Sequence, residues 1–260
     1  MPWRCFNTKI LVNNKVLKMS SFTEKLIRVA DSNDATKSLI NEQNAPVFEA
    51  LCSRMLEVND YMNLTAIRDE DGVILKHLVD SCALAPLVPQ GVSVVDVGCG
   101  GGFPSLPLAI LRPDVSVLGL DSITKKVRYV KETAELLGLE NVESSNARAE
   151  ALGQDKAHRE KYDIACARGV GRLNLILELC LPLVRVGGAF IAMKALTARE
   201  ELDEAQNATK ILGAEVEKIL EYTLKDEREE LSRTIIVFRK VAHTPPKYPR
   251  NNSQIAKRPL

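Results

Sequence analysis

The stretch Asp96-Val97-Gly98-Cys99-Gly100-Gly101-Gly102-Phe103-Pro104 decides the reading of this chain. It follows a β-branched run, Val92–Val97, and opens an apolar segment with helical spacing, Phe103–Leu111. Glycines at such a junction let the backbone turn tightly and approach a ligand without side chains in between. A dinucleotide fingerprint needs its third glycine at 103, where Phe103 stands, and it rests a pyrophosphate on the helix N-terminus. Here the pattern is acid-x-Gly-x-Gly-x-Gly, with Asp96 two residues ahead of the first glycine. An acid at a strand end suits a ligand with an ammonium and a sulphonium rather than a phosphate.

Outward from the loop, short strand-like runs alternate with helical patterns. After Val92–Val97 come a strand at Val115–Leu120, a helix at Ile123–Leu137 and a strand at Val142–Ser145. Strands then follow at Tyr162–Ala167 and Ala189–Lys194, with helices at Leu173–Val184 and Ala198–Leu212. Such alternation predicts right-handed βαβ crossovers and a doubly wound, mostly parallel α/β sheet. The last two strands, Val216–Thr223 and Thr234–Arg239, are separated only by the polar loop Leu224–Ser232, too short for a helical crossover. They are expected to form an antiparallel pair at one edge. Seven strands so arranged match the Rossmann-like topology of class I methyltransferases, whose S-adenosylmethionine loop the glycine pattern also resembles. Asp121 ends the second strand, where it can accept hydrogen bonds from a ribose diol. It can equally cap the helix that follows, and both roles are compatible.

Ahead of the sheet, Val47, Leu51, Met55 and Val58, then Ile74, Leu75, Leu78 and Val79, recur with helical spacing. The chain therefore divides into an extension (1–20), an N-terminal helical cap (21–88), a methyltransferase domain (89–242) and a basic C-terminal tail (243–260). Ser21 with Glu24 reads as the capping box of the first helix. No apolar run reaches the ~20 residues of a membrane span. The six cysteines lie far apart and have no metal or dithiol spacing, so no metal site is expected and reduced thiols in a cytoplasmic setting are. Charge is segregated. Residues 231–260 hold seven basic side chains and no acid, whereas 24–230 hold 24 basic against 34 acidic residues. A basic tail on an acidic body points to a localised polyanion contact or, more plainly, to a solubilising terminus.

Several further segments sharpen the resemblance. Asn63-Leu64-Thr65-Ala66-Ile67-Arg68 and His77-Leu78-Val79-Asp80-Ser81 precede the loop, and Asp121-Ser122 with Lys125-Lys126 follows it. Arg148-Ala149-Glu150, Arg168, Tyr248-Pro249-Arg250 and Lys257-Arg258-Pro259-Leu260 complete the series. In this order they resemble the bacterial small-subunit ribosomal RNA guanine-N7 methyltransferases, also called glucose-inhibited division protein B, from about residue 22 onward. The chain departs from that pattern at Cys99, Gly101, Ser105, Gly169 and Ser253.

The resemblance implies an enzyme that uses S-adenosyl-L-methionine to methylate guanine N7 in 16S rRNA, at position 527, with naked rRNA or the small ribosomal subunit as partner. A monomer without membrane contact is expected. Gly98 and Phe103 would line the cofactor site, Asp121 would meet the ribose, Ala149 and Glu150 the adenine, and Arg168 the lip between cofactor and RNA. Lys125, Lys126, Arg128, Arg250, Lys257 and Arg258 would bind RNA. Plainer roles stand beside these: Phe103 packing its helix onto the sheet, Arg148 and Glu150 as a surface pair, Lys125–Lys131 as a solvated face, His77 as a hydrogen-bonded structural residue. Guanine N7 carries no proton, so no general base is needed and none is named. The alternatives are a methyltransferase for a protein or small molecule, or a cofactor-binding scaffold without turnover.

Overall fold

A computed structural model describes residues 19–195 and 197–260. Apart from Met19 and Ser20, the expected extension lies outside the described residues. Seven strands form one sheet: β1 (Ser93–Val97), β2 (Ser116–Asp121), β3 (Val142–Asn146), β4 (Tyr162–Arg168), β5 (Val184–Lys194), β6 (Ala214–Lys225) and β7 (Glu230–Lys240). Their order is β3-β2-β1-β4-β5-β7-β6. β1 to β5 pair in parallel, and β7 runs antiparallel to both β5 and β6. The order reverses between β1 and β4, so a crevice opens beyond the carboxyl ends of those strands.

Two departures from the sequence reading concern the edge. β5 starts at Val184 rather than 189, because the helix ends at Cys180 and a short 3-10 turn, Leu181–Leu183, follows. The polar loop expected at 224–232 shrinks to a turn. Asp226 Oδ1 accepts from the backbone N–H of Arg228 and of Glu229, which folds the chain back at once and lets β6 and β7 extend to 12 and 11 residues.

The first helix, Ser21–Asp31, is capped by Ser20, one residue earlier than the expected box; the Ser20 hydroxyl accepts from Thr23 N–H. Ala45–Met62 follows and ends at Asn63, which adopts a left-handed conformation with φ 51°. A continuous helical stretch then runs through Glu70–Val73, a π-helical segment Ile74–Val79 and Asp80–Cys82. Phe48, Leu51, Met55, Leu75 and Leu78 of the cap share one buried cluster with Cys99, Phe103, Leu106 and Tyr129 beside the sheet. The cap therefore completes the core over the glycine loop and positions its residues against the crevice.

Candidate active site

The glycine loop is fastened to the neighbouring strand. Gly98 N and Cys99 N both donate to Leu120 O, at 2.8 and 3.0 Å. Gly98 has φ 77°, and a Cβ there would stand 2.6 Å from Val170 Cγ2, so both the conformation and the space require glycine. Asp96, wholly buried, accepts from Ser105 N and Ser105 Oγ through Oδ2. Ser105, one of the departures from the family pattern, thus ties the first helix to the strand end. Asp96 Oδ1 has no hydrogen-bond partner among the described residues, and burial above all pushes the carboxyl up to about 6. Asp121 accepts from Gly100 N through Oδ2 and from Ile123 N through Oδ1, so one carboxylate shapes the loop and the start of the next helix.

Two adjoining cavities open above this floor and share Gly98, Lys126 and Gly169. The smaller, about 290 Å³, is lined by Asp121, Ala149 and Glu150, together with Val170, Leu179 and Asn252. The larger, about 510 Å³, is lined by Phe103, Arg168, His77, Asp80, Tyr222 and Glu201, among others. Each expected cofactor residue lines one or both: Gly98 both, Asp121, Ala149 and Glu150 the smaller, Phe103 and Arg168 the larger. Phe103 serves both readings offered for it, being buried in the core cluster beneath the loop and lining the larger cavity.

The larger cavity holds a network absent from the sequence reading. Arg168 donates to Lys76 O at 2.9 Å and to Asp80 Oδ2 at 3.0 Å. The other Asp80 oxygen meets Arg233 Nε at 3.1 Å and the Tyr222 hydroxyl at 3.3 Å. One buried carboxylate thus joins the cap, β4, β6 and β7. His77, expected as a hydrogen-bonded structural residue, is hydrogen-bonded through both ring nitrogens and also lines the cavity. Its ring stacks on Phe103 with centroids 4.8 Å apart, and Arg168 lies 5.7 Å from the same Phe103 ring. Arg168 Nη2, always a donor, approaches His77 Nδ1 at 3.2 Å, which makes that nitrogen the acceptor and leaves Nε2–H to donate to Thr65 Oγ1 at 2.9 Å. Burial, reinforced by the Arg168 charge, holds the imidazole neutral, with its pKa pushed down to about 3. Lys194 pairs with Glu201 at 2.6 Å, and Glu201 also accepts from Leu173 N and Thr197 Oγ1. The signal for His77 and Asp80 lay in the segment His77–Ser81; nothing in the sequence singled out Arg233, Tyr222 or Glu201.

The expected RNA contacts divide. Lys125 is exposed and donates to Met62 O at 3.0 Å. Lys126 borders both cavities, and Arg128 reaches only the exposed Glu132. Lys257 and Arg258 are exposed. Arg250 is paired within the chain. Its backbone N–H and Nε donate to Glu178 Oε1, and Nη2 donates to Oε2 at 2.6 Å; the Glu178 side chain is completely buried. A carboxylate without water is stabilised only by such a partner, so this guanidinium is held against the body of the chain.

Comparisons with known proteins place this geometry. A sequence model of the family described as GidB, rRNA small subunit methyltransferase G, matches residues 44–231. The ribosomal RNA small subunit methyltransferase G of Acetivibrio thermocellus is 41% identical over 222 residues, 85% of this chain and 90% of that protein. Its namesake in Halalkalibacterium halodurans is 45% identical over 215 residues, 82% and 90% of the two chains. Among solved structures, M. jannaschii TYW2 in complex with AdoMet aligns with TM-score 0.50 at 15% identity, over 62% of this chain and 75% of that one. The [4+2]-cyclase SpnF aligns equally well, with TM-score 0.50 at 15% identity over 63% and 82%. At such identity the two structures show the fold alone, and the cyclase illustrates that fold does not by itself select the chemistry.

Proposed function

The chain belongs to the rRNA small subunit methyltransferase G family, and from that membership we propose that its double cavity transfers a methyl group to guanine N7 of 16S rRNA. The protein is an S-adenosyl-L-methionine-dependent methyltransferase of 16S rRNA. The residues present fit the cofactor. Gly98 and Gly100, both with positive φ, offer bare backbone, and Asp121 stands at the strand end with lone pairs left over for hydroxyl donors. Ala149 and Glu150 border the same cavity and would flank the adenine. When bound, the cofactor supplies a methyl group activated by its sulphonium.

One observation carries the choice of N7. Among the described residues that line the larger cavity, no carboxylate or imidazole is free to act as a base. Asp80 lies between Arg168, Arg233 and Tyr222; Glu201 lies between Lys194, Thr197 and Leu173 N; His77 Nδ1 faces Arg168. Such a site suits a nucleophile that has no proton to lose, as guanine N7 has not. Its residues act by positioning. The stacked Phe103–His77 pair presents an aromatic surface to a base, and the Asp80-centred network fixes the Arg168 guanidinium at the lip. N7 points into the narrow major groove of A-form RNA, so the target is a guanine splayed from its stack. Lys125, Lys126, Arg128, Lys257 and Arg258 hold the flanking phosphates.

Transfer of tritium from labelled S-adenosyl-L-methionine, with 16S rRNA, naked or in the subunit, set beside protein and small-molecule fractions, tests the reading. Label in 7-methylguanine after digestion of the RNA is the expected result. Label on another guanine atom or in another fraction overturns it.

A further inference from the structure

The smaller cavity has one wall that carries no cofactor motif. Asn252 lines it together with Asp121, Ala149 and Glu150. The segment leading to Asn252 is fixed along its length. Arg159 donates to four backbone oxygens, those of Gly153, Thr244 and Tyr248 at 2.7 Å and of Pro245 at 3.3 Å. Gln154 Nε2 reaches Pro246 O and Pro249 O. A Cβ on Gly153 would stand 2.7 Å from Pro249 Cγ, so the segment lies directly on the body. Tyr248 and Ile255 are buried in the same hydrophobic cluster as Ala149, Leu152 and Leu179. Two of these, Ala149 and Leu179, line the cavity. Glu178, which grips Arg250, is the neighbour of Leu179 on the helix Leu173–Cys180. The strap is thus packed from below into the elements that form the pocket, and it presents Asn252 at the rim.

We propose that residues 243–255 are part of the cofactor site rather than an RNA-binding arm, and that Asn252 contacts the adenine. The inference rests on the reading of the smaller cavity as the adenine–ribose end of the cofactor site. A carboxamide carries both a donor and an acceptor, the pair that matches the exocyclic amino group and an adjacent ring nitrogen of adenine. Among the residues around this cavity, Asp121 and Glu150 offer only acceptors when ionised, and Arg148 and Lys126 only donors. The Ser122 hydroxyl donates and accepts at a single atom, and among the described lining residues only Asn252 places a donor and an acceptor side by side in an amide.

Calorimetric titration with S-adenosylhomocysteine and with S-inosylhomocysteine, in which an oxo group replaces the adenine amino group, tests this directly. The wild-type protein should prefer the adenine compound; binding of neither would overturn the reading of the cavity itself. Asn252→Ala should weaken S-adenosylhomocysteine about five- to tenfold and S-inosylhomocysteine much less, the size expected for one hydrogen bond. An unchanged preference in that variant overturns the assignment of Asn252. Arg250→Lys and Glu178→Gln, milder than alanine, loosen the strap without emptying the site. Each should lower S-adenosylhomocysteine affinity while the salt dependence of RNA binding stays as in the wild type. Unchanged cofactor affinity in these variants, with a flatter salt slope in Arg250→Gln, which removes the charge that lysine keeps, would return the strap to RNA.

Discussion

The two basic stretches beside the cleft meet opposite surroundings. On the helix Thr124–Leu136, Lys125 and Arg128 are exposed and Lys126 half-buried, with the cap's Met62 carbonyl and Glu132 as their nearest partners. On the strap, Arg250 lies against the fully buried Glu178 and 5.8 Å from the Tyr248 ring, and Lys247 lies 5.2 Å from the same ring. By composition the strap is the more basic of the two, because it holds no acid. In the folded molecule an acid from another element pairs with Arg250, while Lys125 and Arg128 on the helix and Lys247, Lys257 and Arg258 near the C-terminus stay exposed. Net charge along a chain counts ionised groups, while an RNA phosphate meets only those left in water.

The comparison is broken most severely at the floor that both stretches flank. Gly98→Val forces a β-branched side chain onto φ 77° and into Val170. Cofactor affinity should fall by more than about a hundredfold, as two of the loop's backbone contacts shift, while circular dichroism stays native. Retained affinity in a titration would mean that the loop is not the cofactor floor. Next in size is Arg250→Ala. Leaving Glu178 buried and unpaired should cost about 3 kcal/mol of stability, whereas Lys125→Ala should change it by less than about 0.5 kcal/mol. Urea midpoints of the two variants measure the contrast directly, and equal shifts would erase it.

The RNA side gives a smaller but specific effect. Replacing Lys125, Lys126 and Arg128 by alanine should flatten the slope of log affinity against log salt by roughly two to three units, since each phosphate contact contributes about 0.7–0.9. Lys257 and Arg258 together should flatten it by roughly one to two units. Filter binding across a salt series reads both, and a triple variant with the wild-type slope would move the RNA surface elsewhere.

The most gradual effect is a pH dependence on the cap side. His77 titrates near 6.5 in the unfolded chain, but burial and Arg168 push it to about 3 in the folded one. Between those values the unfolded state binds the additional proton, so the contribution of His77 to stability is lost as pH falls through that window, at no more than about 1.4 kcal/mol per pH unit. Asp96, raised to about 6 by burial, acts in the opposite sense between its unfolded pKa and that value. The difference between wild type and His77→Gln isolates the histidine. Parallel stability curves for the two proteins from pH 7 to pH 4 would show that the ring is already charged.

Much of this molecule is legible in its sequence because the deciding interactions are local. The glycine loop, the alternation of two- and three-to-four-residue periods and the short connection between β6 and β7 each report on neighbours within one or two elements. They were sufficient for the order of strands and helices, the antiparallel edge and the class of cofactor. Element ends slipped where a single side chain redirected the backbone: Ser20 for the first helix and Asp226 for the final turn.

What only the tertiary structure decided joins residues far apart in the chain. Arg233 reaches Asp80 across 153 positions, Arg168 reaches the Lys76 carbonyl across 92, and Arg250 reaches Glu178 across 72. No periodicity encodes such pairs, because each depends on where two separately folded elements come to rest. Burial then makes the pairing obligatory, since an ionised group removed from water needs a partner with geometry to match. The sequence by itself determined that the chain builds a glycine-floored crevice for an adenosyl cofactor. The packing of the cap and the strap onto that crevice determined which of its charges are locked inside and which remain in water.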